Sequence, residues 1–319
     1  MKKGLLVTII IPTYNREKLL PDAIDSVINQ TYKKWELVVV NDASTDNTGQ
    51  VVDNYKRKLG NKLRYFSTKK NSGNCGATTR NIGIRNARGE YLLILDDDDI
   101  LHPTILEKQI GFINKYLHIL YVTTNRSFFP KNKKKLYKDY TADYYDSFLK
   151  GDWKKLSKGH YIWTKGNPFD EYFPAYHSGS LVHKSIYNKV GLFNERLKYS
   201  VDVEMRIKTG LLYDVGLIDE HLYYMRIGNN NYTLTNKDNT DGHIIINNTI
   251  KKFIKLNGLK KEPILNQKLS GCYFNKGYKL RKTNKLKSLC YYLVAMYCNY
   301  DSIQIKAIGK LFIPKYYKK

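Results

Sequence analysis

Three short runs dominated by Leu, Ile and Val, at Leu5–Ile11, Glu36–Val40 and Tyr91–Leu95, are separated by segments with helical spacing. Apolar runs this short read as interior strands, buried on both faces. Between them, Arg16–Gln30 carries Leu19, Leu20, Ala23, Ile24, Val27 and Ile28 on one helical face. Thr45–Leu59 reads as a second helix with Ser44 or Thr45 as its cap, and Ala77–Ala87 as a third, stopped by Gly89. Leu63–Ser67 predicts a short strand, Lys69–Asn74 a Gly/Asn loop, and Pro103–Lys115 with Ile119–Thr124 a further helix–strand pair. This βαβα order predicts an α/β fold: a mostly parallel, Rossmann-like sheet with helices on both faces.

Four consecutive aspartates, Asp96 to Asp99, follow directly on the strand Tyr91–Leu95. They therefore fall at the C-terminal edge of the sheet, where open α/β sheets bind ligands. Two carboxylates about 4 Å apart repel by roughly 4 kcal/mol at an effective dielectric near 20. That repulsion calls for a counter-cation, and packed oxygen ligands favour Mg²⁺ or Mn²⁺, which in turn favour a diphosphate. The competing reading is a solvated acidic turn or a helix cap, and Asp99 is the member best suited to it.

Beyond residue 130 the pattern loosens. Lys131–Phe173 mixes a charge run with scattered aromatics and reads as an acceptor-side insertion or a surface excursion. Ser180–Val190 and Val201–Leu212 predict helices, and Val215–Ile218 and Leu222–Arg226 predict two short strands. Gly228–Thr235 reads as a mobile, Asn-rich loop. Four helices are expected after it, at Ile244–Leu256, Leu265–Leu280, Leu286–Tyr297 and Ile303–Phe312, with Gly277 and the Arg281–Asn284 turn marking a helical hairpin. The expected division is a domain over 1–238, with halves meeting near 125, and a basic helical region over 239–319.

Composition narrows the setting. The chain of 319 residues is 42% hydrophobic, enough for a core, and its longest apolar stretches fall short of the roughly 18 residues that span a bilayer. Met1-Lys2-Lys3 imitates a signal peptide, but the apolar part runs into Pro12-Thr13-Tyr14-Asn15 without a cleavage site and reads as the first strand. Cys75, Cys272, Cys290 and Cys298 have no metal-ligand spacing, which fits a reducing cytoplasm. The net charge is +25, and residues 251–319 hold seventeen Lys and Arg against only Glu262 and Asp301. Such a surface attracts anionic lipid, with nucleic acid as the lesser reading, while lysine-rich coding alone would produce the same bias.

The ordered blocks resemble the family 2 glycosyltransferases of the GT-A fold. The blocks are Val7–Asn15, Ser26–Tyr32, Glu36–Asp46, Asn71-Ser72-Gly73, Arg80–Gly83 and Gly89–Asp99, with a looser match over 170–226. The resemblance implies a nucleoside diphosphate sugar, UDP-linked by preference, bound by Pro12, Thr13, Tyr14, Asn15, Asp42, Asn71, Gly73, Arg80 and Asn81. Tyr14 would stack on the base and Asp42 accept its N–H. Asp96 or Asp97 would face the ribose and Asp98 would hold the divalent metal, Mn²⁺ or Mg²⁺. The family's acidic pair before a helix falls at Val201-Asp202, where Val201 departs from the usual Glu. Asp202 is then the expected base, with Glu204 as the fallback. His177, Ser178 and Gly179 fall where the family lines the acceptor pocket, the glycine making room for a sugar ring. The family's late Arg-then-His pattern is incomplete, because Arg226 is followed by no nearby histidine.

The implied activity is inverting transfer of a hexosyl or N-acetylhexosaminyl group to a hydroxyl of a surface-glycan or lipid-linked acceptor. The expected place is the cytoplasm, extending to the inner face of the plasma membrane through the basic region. A nucleotidyltransferase would need a Gly-rich basic loop after strand one, which Pro12–Asn15 lacks. A non-catalytic nucleotide- or glycan-binding protein is the other reading, since Val201 breaks the acidic pair.

Overall fold

The computed structural model describes residues 4–130, 153–166, 168, 177–227, 239–260, 263–299 and 307–308. The chain divides into two compact units, Met1–Thr235 and Asn236–Lys319.

The first unit is built on one sheet. Strands β1 (Val7–Thr13), β2 (Trp35–Asn41), β3 (Leu63–Ser67) and β4 (Tyr91–Ile94) lie in the order β3-β2-β1-β4, all parallel. Every residue of β1, β2 and β4 is buried. Helix α1 (Leu20–Ile28) covers one face, its Leu20, Ala23, Ile24 and Val27 joining Val7, Ile9 and Ile11 in the core. Helix α3 (Ala77–Asn86) covers the other so closely that a Cβ on Gly83 would lie 2.3 Å from Ile10. Burial on both sides explains why these strands read as unbroken apolar runs. Pro12 is tolerated in β1 because pairing with β4 has already stopped at Ile10↔Ile94.

The other half of the sheet is mixed, with one further parallel pair among antiparallel ones. Next to β4 comes β9 (Leu181–His183), antiparallel to both β4 and β6 (Tyr121–Pro130). Then follow β10 (Val215–Ile227), parallel to β6, and the antiparallel strands β8 (His160–Trp163) and β7 (Trp153–Ser157). A two-residue strand β5 (Ile100–Leu101) pairs with β10. The helix expected over Ser180–Val190 is in fact β9 followed by α5 (Lys184–Val190), because Leu181 and Val182 fill a slot between two strands. The two strands expected between Val215 and Arg226 are one, interrupted by a register shift at His221. Within Lys131–Phe173 the described residues include the β7–β8 hairpin, and Gly228–Thr235 lies outside the described residues.

Helix α2 (Thr48–Leu59) starts later than expected, since Asp46 rather than Ser44 or Thr45 accepts from the Thr48 N–H, at 3.0 Å. Helices α4 (Ile105–Lys115) and α6 (Val201–Leu212) complete the unit.

The second unit consists, among the described residues, chiefly of α7 (Thr240–Leu256), α8 (Pro263–Leu280) and α9 (Lys285–Cys298). Helices α8 and α9 form the hairpin. Gly277 permits its close crossing: a Cβ there would lie 2.9 Å from the Tyr292 ring, and Ser288 Oγ donates to the Gly277 carbonyl at 2.7 Å. Asn284 caps α9 by accepting from the Lys287 N–H. Of the last expected helix, Ile303–Phe312, only residues 307–308 are described.

Candidate active site

Strands β1, β2 and β4 end at the same edge, and the residues after them meet there. Tyr14 is 41% exposed at this edge, and its N–H donates to Asp97 Oδ2 at 3.3 Å. Asn15 adopts φ +52° and ties the first loop to the second, donating from its N–H to Ser44 Oγ and accepting from the Thr45 N–H. Asp42 is bonded to Thr13 through its N–H. Its carboxylate accepts from Thr68 Oγ1 (3.0 Å), Ser72 N–H (3.1 Å to each oxygen), Ser72 Oγ (2.7 Å) and Asn71 Nδ2 (3.3 Å). Two of these contacts fall on Oδ1 and three on Oδ2, so both oxygens are already supplied with donors. Asp42 thus shapes the β3–α3 loop, and accepting from a base would require one donor to give way. Asn71 also closes a turn onto the Gly73 N–H, where φ is +63°.

The aspartates separate by environment. Asp96 accepts from Arg80 at 2.6 Å and, through its other oxygen, from Ser178 Oγ at 2.9 Å. One carboxylate therefore joins α3 to the segment entering β9. Asp97 accepts from Arg16 Nε at 3.3 Å, and the same guanidinium lies 3.8 Å from Asp98. Burial and the neighbouring Asp98 push Asp97 up to about 7 despite Arg16. Burial and Asp96 raise Asp98 as well. Asp99 is the structural member: 3% exposed, it accepts from Tyr223 Oη at 2.6 Å and from the Arg226 N–H at 2.8 Å. Burial, then Asp98, hold its pKa well above the usual carboxylate range. Arg226 also donates to the Asp98 carbonyl and to Asp22.

These residues fit a hard divalent cation at Asp98. Neighbouring carboxylates with raised proton affinity retain a demand for positive charge, which Arg16 and Arg80 meet only in part. Among the described residues no three His, Cys, Asp or Glu side chains form a cage by themselves. A cation at Asp98 would take most of its ligands from phosphate oxygens and water, as Mg²⁺ commonly does.

Other expected site residues lie elsewhere. Asn81 is 1% exposed, and its amide bonds to the Phe193 backbone and to the Glu195 carboxylate, not to Asp96–Asp99. Glu204 is 2% exposed, accepting from Asn194 at 2.7 Å and paired with Lys208. That buried pairing takes it out of contention as the fallback base. Gly179 does not open space for a sugar: a Cβ there would lie 2.3 Å from the Tyr223 ring, and φ is +77°. His177 is 2% exposed among Tyr121, Tyr187 and Phe193, and burial lowers its pKa to about 3. Its Nε2 is buried without a hydrogen-bond partner among the described residues. Asp202 stands in the first turn of α6, where the helix dipole favours its charge. Its charge helps to raise the pKa values of Arg80 and Cys75.

Arg16 was not anticipated as a site residue, and Arg226 was noticed only as the start of an incomplete Arg-then-His pattern. Arg16 was counted into the first helix, which begins only at Leu20. Its place directly after Tyr14-Asn15 was the available signal.

Comparison with known proteins bears on the fold and the family. An uncharacterized glycosyltransferase of Rickettsia typhi is 34% identical over 209 residues, 64% of this chain and 58% of the relative. The poly(ribitol-phosphate) beta-N-acetylglucosaminyltransferase TarS of Staphylococcus aureus is 38% identical over 111 residues, 34% of this chain and 19% of TarS. The chain spans less than two thirds of the length of these curated relatives. The structure of TarS 1–349 in complex with UDP-GlcNAc matches with a TM-score of 0.65 at 21% identity, covering 95% of this chain and 83% of that one. Mannosyltransferase PcManGT from Pyrobaculum calidifontis, in complex with GDP-Man and Mn²⁺, matches with a TM-score of 0.53 at 16% identity, covering 95% and 78%. These likenesses give the fold, GT-A with a helical appendage. The pattern of Glycosyl transferase family 2 matches residues 8–190, more than half the chain and all of the elements that carry the aspartates, and the chain belongs to that family.

Proposed function

We propose that this protein is an inverting glycosyltransferase that takes a hexosyl or N-acetylhexosaminyl group from a UDP-sugar to a hydroxyl of a surface-glycan or lipid-linked acceptor. The observation that carries the reading is the double bond of Asp96, to Arg80 on the donor side and Ser178 on the acceptor side, beside the Asp98 carboxylate. TarS, a relative by sequence and fold, has been solved with UDP-GlcNAc, which supports UDP as the nucleotide. PcManGT, solved with Mn²⁺, supports a divalent metal, held here by Asp98. Asp98 would hold the cation, whose charge would offset that growing on the leaving diphosphate.

Tyr14 stacks on the base, and Asp42 accepts the base N–H as one of its loop donors gives way. Arg80, paired with Asp96, serves the diphosphate as a countercharge, while Asp96 or Asp97 meets the ribose. Asp202 takes the proton of the acceptor hydroxyl as its oxygen attacks the anomeric carbon. The bond from that carbon to the diphosphate breaks, its electron pair leaves with UDP, and the configuration inverts. The domain over 1–238 carries this chemistry, with the basic region over 239–319 at the inner face of the plasma membrane. The nucleotidyl-transfer alternative gains nothing, because Arg16, the cation after β1, is engaged by Asp97.

UDP release from a panel of UDP-sugars with Mn²⁺ tests the reading. Asp98→Ala and Asp202→Asn are each expected to lower it about 100-fold or more, as loss of a metal ligand or general base does. Asp202→Asn should keep UDP affinity. Absence of UDP binding by calorimetry in the unaltered protein would refute the proposal.

A further inference from the structure

Helix α9 has two opposed apolar faces, and among the described residues only one is covered. Ser288, Tyr292 and Ala295 are buried, Tyr292 lying over Phe274 and Gly277 of α8. Two positions away around the helix, Leu286 (73% exposed), Leu293 (52%), Val294 (39%) and Tyr297 (93%) form a second stripe, with exposed Cys290 in line. Their spacing puts them on one side of the helix. Large apolar side chains in a contiguous exposed row mark an interaction surface rather than ordinary surface scatter.

Charge identifies the partner. Between Pro263 and Asn299 there are seven Lys or Arg and no Asp or Glu. Four of them, Arg281, Lys282, Lys285 and Lys287, gather at the turn into α9 and its first residues, and from Ser288 to Cys298 the helix is uncharged. Arg281 lies over the ring of Tyr278, itself 50% exposed, so an aromatic and a cation stand together beside the collar. An apolar stripe with a cationic collar and interfacial aromatics matches a helix lying in the plane of a lipid headgroup layer. A second copy of this chain would bring the same cations against these, an unfavourable pairing. No helix among the described residues is long and apolar enough to cross a membrane, so the contact is one of lying on the surface.

We propose that the exposed face of α9, with the Arg281–Lys287 collar, docks this protein onto an anionic phospholipid bilayer. This inference stands apart from the sugar chemistry and needs none of the carboxylate site.

The test is sedimentation of the full chain with vesicles of phosphatidylcholine alone and of phosphatidylcholine mixed with phosphatidylglycerol. Binding is expected only to the mixed vesicles and should weaken with salt. Leu293→Glu with Tyr297→Glu should lower the partition coefficient by about tenfold or more, since one large apolar side chain left in water is worth that much. Lys285→Glu with Lys287→Glu, on exposed positions, should lower it comparably and decides the matter if the first pair disturbs the helix. An unchanged partition in the folded variants, or equal binding to phosphatidylcholine alone, overturns the proposal. So does a lipid-free dimer, seen by light scattering, that the Leu293/Tyr297 variant turns into a monomer, because the face then belongs to a second copy.

Discussion

The guanidinium of Arg16 stands between Asp97 and Asp98 at the point where the proposed metal would be held. With 39% of its side chain exposed, screening limits its stabilising effect to about 1 kcal/mol. Arg16→Met should therefore lower the melting temperature by roughly 2–4 °C. Because a divalent cation at Asp98 supplies the same charge, the variant should gain more from added Mn²⁺ than the parent does. Thermal unfolding with and without Mn²⁺ measures this, and equal shifts in the two proteins would show that Arg16 and the metal do not compete. The aspartates were legible because they are contiguous and follow a strand. Arg16 and Arg226 were not, since their partners lie 81 and 127 residues away and no local period reports such a pairing. Asn81 and Glu204 stand in the right blocks, yet Phe193 and Glu195 hold the first outside the site, and Asn194 with Lys208, one turn along the same helix, holds the second.

At the scale of elements, legibility followed burial. Strands β1, β2 and β4 are covered on both faces, so each left a plain apolar run. Strand β9 is three residues long and merges into α5, too short for a period to show. The segment entering β9 also corrects the reading of Gly179, whose neighbour Ser178 reaches Asp96. Gly179 holds φ +77°, its N–H donates to Ile94, its carbonyl accepts from Gln109, and the Tyr223 ring fills the space above it. Gly179→Ala must strain the backbone and push against that ring, and is expected to destabilise the first unit by about 3 kcal/mol. Urea unfolding should show a lower midpoint at unchanged slope. A variant as stable as the parent would mean that Tyr223 moves aside easily, and room for a sugar would again be a reasonable account of the glycine.

Across the whole molecule, acid acts on two things at once. The net charge of +25 grows as carboxylates are protonated, and self-repulsion then weakens any folded state of this chain. His177 adds a specific term. Buried beside Tyr121, Tyr187 and Phe193, and with Arg80 also disfavouring its charge, it has a folded pKa of about 3 against an ordinary 6.5. A group whose folded pKa is depressed takes up protons first in the unfolded chain. The stability it contributes is therefore complete above pH 6.5 and is lost progressively as the pH falls toward 3. At pH 5 the loss amounts to about 2 kcal/mol. His177→Phe keeps a ring in the aromatic cluster, removes the unpartnered Nε2 and cannot titrate. Self-repulsion is nearly the same in both proteins and cancels in their difference. The two should thus be of similar stability at pH 7.5, with the variant more stable by about 2 kcal/mol at pH 5 and the gap widening below. Denaturant midpoints across this range decide it: curves that stay parallel would mean that His177 becomes charged without leaving the fold.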